Sequence, residues 1–115
     1  MNVANEKALF QIIGKNIKSY RNSANLNQAH LASQVGLSRT SLVNIEQGKQ
    51  QPSLFLLWRI AEALGVETKD LIPNRFEVNA TEFGLVSPTP HREIRKEETY
   101  RLIKEFIENN KVNGS

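Results

Sequence analysis

The chain has 115 residues, 39% of them hydrophobic, and carries a formal net charge of +3. That length and apolar content suit one small helical domain with appendages, and exclude two full domains or a large core. Cysteine is absent, which excludes disulfides and thiolate metal sites and suits a reducing cytoplasm.

No basic segment followed by an apolar run opens the chain, and no apolar stretch reaches membrane-spanning length, so the expectation is a soluble, cytoplasmic protein with no membrane partner. Charge is unevenly spread. Acidic residues are missing between residues 7 and 45, a span that holds Lys7, Lys15, Lys18, Arg21 and Arg39. Such a front half favours approach to a polyanion, although a solvated basic face is the plainer alternative.

A first helix is expected over residues 6–24, where Leu9, Ile13, Ile17 and Tyr20 recur at helical spacing. Phe10 and Ile12 lie on the same run and are read as core. Asn25 stands where this helix should stop, in a position that favours left-handed backbone. Asn27 is placed to cap a second helix, on which Leu31, Ala32 and Val35 share one face. Gly36 then interrupts the pattern, and Ser38 is placed to cap a third helix with Leu42 and Ile45 on its narrow apolar side. The outward residues of that helix are Arg39, Thr40, Ser41, Val43, Asn44 and Gln47. Two short helices around a tight Gly-containing turn, with a polar outer face, form a helix-turn-helix. His30, with no second ligand nearby in sequence, reads as a surface residue.

After Gly48, Ser53 caps a fourth helix over residues 54–64, with Leu54, Leu57, Ile60, Ala61 and Leu64 as its core face. Trp58 is read as core and Phe55 as a surface or interface residue. A short fifth helix, about 68–72, is halted by Pro73. Residues 74–91 change character. Phe76, Val78 and Ala80 alternate with polar residues as a short strand would, while Pro88 and Pro90 mark a linker. Residues 92–110 form a C-terminal helix whose stripe of Leu102, Ile103, Phe106 and Ile107 could fold back, form a dimer contact or hold a second protein.

The ordered set Gln28, Leu31-Ala32, Gly36, Ser38, Ile45-Glu46 and Gly48, with Pro52-Ser53 and Ala63-Leu64-Gly65-Val66 beyond, resembles the phage repressor and Cro family of bacterial regulators. The resemblance implies an all-α, five-helix repressor-like DNA-binding domain over residues 6–73, joined by a linker, 74–91, to the C-terminal helix, 92–110. It further implies a sequence-specific transcriptional regulator of prokaryotic or phage origin, nucleoid-associated and acting as a homodimeric repressor on an inverted repeat of double-stranded DNA. Base contacts are expected from Arg39, Thr40 and Asn44, which open and line the outer face of the reading helix. Arg can bond guanine bidentately, Asn can do the same with adenine, and the Thr methyl can meet that of thymine. Gln28 and Lys49 match the family's backbone-contacting positions, and Ser38, Ser41 and Gln47 complete the expected phosphate set. Arg21 and Glu46 match a structural ion pair that ties the reading helix to the scaffold.

No metal-ligand cluster, Gly-rich phosphate loop or nucleophile with an adjacent base is visible, so neither enzyme activity nor a cofactor is expected. The rival reading is a protein-binding module, such as an antitoxin or adaptor, built on the same fold.

Overall fold

A computed structural model describes residues 3–85 and 96–110, and among them all regular structure is helical. The order is α1 (Val3–Ser23), α2 (Gln28–Gln34), α3 (Arg39–Glu46), α4 (Leu54–Leu64), α5 (Thr68–Leu71), α6 (Arg75–Glu82) and α7 (Lys96–Asn109).

The first five helices surround one core, in which Ile17, Leu31, Leu42, Ile45, Ile60 and Leu71 are wholly enclosed. Local chemistry punctuates them as expected. Asn25 ends α1 at φ 58°, and Asn27 accepts from the His30 amide at 2.7 Å. Ser38 accepts from the Ser41 amide, and Ser53 from the Leu56 amide, each at 3.1 Å. Each cap satisfies an amide that a helix start leaves without an internal partner. Asn16, buried on α1, donates its side-chain N–H to the Leu71 carbonyl at 3.0 Å and so joins α1 to the end of α5.

Residues 75–82 correct the expected strand. Asn74 caps the first turn by accepting from the Glu77 amide at 2.8 Å, and the chain continues as α6. The period of two that suggested a strand has a different cause. Side chains two apart on a helix point to nearly opposite sides, and α6 is covered on both. Val78 packs with Ala8 and Ile12 of α1, while Ala80 packs with Leu85 and with Leu102 of α7. The N-terminal turns of α1 offer apolar surface at Ala8 and Ile12, and Val78 of α6 covers it. Within the expected linker, residues 75–82 are therefore packed helix, and residues 86–91, with Pro88 and Pro90, lie outside the described residues. So do residues 92–95 of the expected C-terminal helix.

Two expectations for α4 are also corrected. Leu57, Ile60 and Ala61 are buried, but Leu54 and Trp58 are 76% and 50% exposed, beside Phe55 at 66%. Helical periodicity assigns a direction to a side chain, but burial also needs a neighbour there, and among the described residues none covers Leu54 on the first turn of α4. Phe55 and Trp58 instead stack on each other, with ring centroids 6.4 Å apart. The C-terminal stripe divides similarly. Leu102 faces Ala80, and Phe106 meets Phe83 at 5.2 Å between centroids, whereas Ile107 remains exposed.

Candidate nucleic-acid interface

The reading helix is set by the turn before it and by the floor beneath it. Gly36 takes φ 74°, which reverses the chain between α2 and α3. Leu42, Ile45 and Glu46 then point inward and are buried, while Arg39, Thr40 and Gln47 are exposed and Asn44 is half-buried. The C-terminal end of α3 sits against α1 at Gly14. A Cβ there would collide with the carbonyl oxygens of Ile45 and Glu46. Gly48, at φ 76°, lets the departing chain pass close over Gln11. Lys49 follows, exposed, with its amide donating to the Asn44 carbonyl at 2.8 Å.

A polar relay runs from this floor to the outer surface. Arg21 of α1 donates through Nε to Glu46 Oε2 at 2.7 Å and through Nη2 to Oε1 at 3.0 Å. Its Nη1 donates to the Leu26 carbonyl at 2.9 Å, so one guanidinium holds the end of α3 and the α1–α2 loop together. Gln28, the first residue of α2, donates through Nε2 to Glu46 Oε1 at 3.1 Å. Its Oε1 accepts from Arg39 Nη2 at 3.4 Å. Bidentate guanidinium–carboxylate geometry is directional, so the pair fixes both the distance and the rotation of α3 over α1.

The candidate backbone-contact residues come together only in part. Gln28 and Gln47 share a cleft of about 290 Å³ with Lys15, Lys18 and Glu46. Ser38 and Ser41 lie at the opening turn of α3, their hydroxyls 3.1 Å apart, and Ser38 is already engaged as the cap. Lys49 stands past the other end of α3. The base-contact candidates Arg39 and Thr40 occupy the exposed first turn, with Asn44 one turn further on. Gly14 and Asn16 were not singled out from sequence. A glycine in the middle of an amphipathic helix was the available signal for the first, and nothing in the periodicity marked the second.

With this geometry in hand, comparisons place the chain among known proteins. The helix-turn-helix family model matches residues 17–71. An HTH-type transcriptional regulator of Methanocaldococcus jannaschii is 44% identical over 55 residues, spanning 48% of this chain and 83% of that protein. The immunity repressor of Bacillus phage phi105 is 37% identical over 60 residues, 52% of this chain and 42% of the phage protein. Among solved structures, the restriction-modification controller protein C.AhdI of Aeromonas hydrophila superposes with a TM-score of 0.53 at 28% identity, over 55% of this chain and 96% of its own. The matched span contains the Arg21–Glu46 pair, the Gly36 turn and the whole of α3. The chain belongs to the helix-turn-helix family of DNA-binding transcriptional regulators, of the phage repressor and Cro type.

Proposed function

We propose that this protein represses transcription by binding, as a homodimer, an inverted-repeat operator in double-stranded DNA. The observation that carries the reading is the division of α3: an inner face locked into the core and an exposed first turn bearing Arg39 and Thr40, with Asn44 beyond. A helix that enters the major groove by its N-terminal end brings those positions nearest the base edges. Arg39 then reads guanine O6 and N7, Thr40 meets a thymine methyl, and Asn44 pairs with adenine. Gln28, Ser38, Ser41, Gln47 and Lys49 contact phosphates and set the register. The amide groups at the start of α2 add donors to a phosphate there.

A single module of this size buries limited area on DNA, and pairing two of them is the usual route to useful affinity and to a palindromic site. Supporting a dimer, apolar surface remains open in the groove where Ile103 and Ile107 of α7 face Phe76 of α6, and at Leu54, Phe55 and Trp58 of α4. The same surfaces support the second reading, a protein-binding module such as an antitoxin or adaptor built on the same fold. We place the action in the cytoplasm, with residues 6–73 as the DNA-binding unit and the C-terminal helix in self-association, and assign no catalytic role or cofactor. Selection of bound sequences from a random DNA pool tests this reading. The expected product is one half-site repeated with two-fold symmetry, and failure to enrich any sequence would overturn it.

A further inference from the structure

Lys7, Gln11, Lys15 and Lys18 recur on α1 at steps of four, four and three residues, which sets them in one row along the helix. All three lysines are exposed. Lys15 and Lys18 line the cleft that also holds Gln28, Val43 and Gln47, so the row opens on the same side of the molecule as the outer face of α3. On one flank of the row, Gly14 and Arg21 meet the end of α3; on the other, Ala8 and Ile12 carry Val78 of α6. The row therefore runs between α3 and α6, on a helix held from both sides. The nearby acids are already engaged. Glu46, which also lines the cleft, is matched by Arg21. Glu6 stands one step of about 100° around the helix from Lys7 and accepts from Gln51, past the end of α3.

We infer that this row is a phosphate track: Lys7, Lys15 and Lys18 contact phosphates along the DNA strand that borders the groove α3 enters, with Gln11 donating between them. The inference rests on α3 facing DNA, as proposed above, and carries the contact onto turns of α1 outside the matched family span, since Lys7, Gln11 and Lys15 all precede residue 17. From residue 7 to residue 18 the helix rises about 16 Å, and a DNA strand carries one phosphate per 3.4 Å of axis, so the row has the length of about five phosphates. Lysine suits such a track. Its ammonium is a compact charge on a flexible stem, which meets a phosphate without demanding one geometry and reads no base. The scaffold keeps the row in place: Val78 packs on Ala8 and Ile12, and Gly48 passes close over Gln11, so Lys7 is fixed relative to α3 and to Lys49. A merely solvated face would account for each exposed lysine singly, but gives no reason for a shared row beside α3.

The test measures the affinity of the full chain, across a salt series, for its selected site and for a scrambled duplex. Wild type is compared with Lys7→Gln, Lys15→Gln, Lys18→Gln, Lys7→Arg and, away from the row on α5, Lys69→Gln, each with its melting curve. Each glutamine variant on the row is expected to bind both duplexes about two- to fivefold more weakly, with unchanged melting and a salt slope shallower by about 0.9 per lysine removed. Lys7→Arg keeps the charge and should bind as the wild type does. Uncharged methylphosphonates, placed one at a time along the strand beside the half-site, should then locate the track. At one of them Lys7→Gln should add no further loss. Wild-type affinity and slope in Lys7→Gln would overturn the inference, as would a loss confined to the selected site, an equal loss in Lys69→Gln, or losses that add at every phosphate. In each of those cases DNA binding by α3 stands. If the wild type binds neither duplex, that reading itself fails and the track falls with it.

Discussion

Arg21 and Glu46 meet across 25 residues of sequence in a two-bond ion pair whose side chains are 8% and 2% exposed. Burial makes the pair matter asymmetrically. Its formation gains little over two well-packed apolar residues, but removing one member strands the other charge, at about 3–5 kcal/mol. Glu46→Ala and Arg21→Ala should each lower the melting temperature by at least about 10 °C, as that energy implies for a domain of this size. Both should also weaken DNA binding, because α3 loses its anchor. Arg21→Ala should be the more damaging, since the Leu26 carbonyl loses its donor as well. Thermal unfolding followed by circular dichroism checks this, and unchanged melting in both variants would remove the pair from the account.

Gly14 reverses the usual effect of a helix glycine. Replacing glycine by alanine inside a helix normally stabilises by roughly 0.5–1 kcal/mol. Here the added methyl would meet two carbonyl oxygens at the end of α3, which cannot retreat without moving the helix. Overpacking costs about 1–3 kcal/mol and wins. Gly14→Ala should therefore melt earlier than wild type. A rise in melting temperature would mean that α1 and α3 are not in such close contact in solution.

Arg39→Ala and Lys49→Ala should separate base reading from phosphate binding. The first is expected to cost about 1–3 kcal/mol on the preferred site and to relax discrimination at one base pair per half-site. The second should weaken all sequences alike. Titrations against cognate and scrambled duplexes decide between them, and an unchanged cognate-to-scrambled ratio in Arg39→Ala would remove Arg39 from the readers.

Salt separates a DNA-binding role from a protein-binding one. Binding through Lys15, Lys18, Arg39 and Lys49 releases counterions, so the logarithm of the affinity should fall linearly with that of the salt concentration, by about 0.9 per phosphate neutralised. A flat response across the same range would favour the protein-partner reading.

The tail should govern self-association. Truncation before Arg92 is expected to weaken dimerisation in sedimentation, but it also uncovers Ala80 on α6 and Phe83 just past its end. Ile107→Asp is cleaner, because that side chain is already exposed. It should lower the dimer fraction with little change in melting. If both proteins dimerise as the wild type does, the exposed Leu54, Phe55 and Trp58 of α4 become the surface to mutate next.

The helix-turn-helix was legible in the chain because its signals are local. Asn27, Ser38 and Ser53 each cap the helix that follows them, and Asn25 and Gly36 take the left-handed backbone at their turns. Such choices depend on a residue's own backbone preferences and on partners two or three positions away. What lies between distant segments was not legible. The alternation of Phe76, Val78 and Ala80 looked like a strand, and only the placement of α6 between α1 and α7 gave both sides of a helix something to cover. Trp58 sat among core positions on α4, yet its burial depended on a neighbour that the packing did not supply. The relay from Arg21 through Glu46 and Gln28 to Arg39 is of the same kind. Family resemblance suggested its first link, but the direction of the Gln28 amide is set by the charges around it, which belong to α1 and α3 and meet α2 only through the fold.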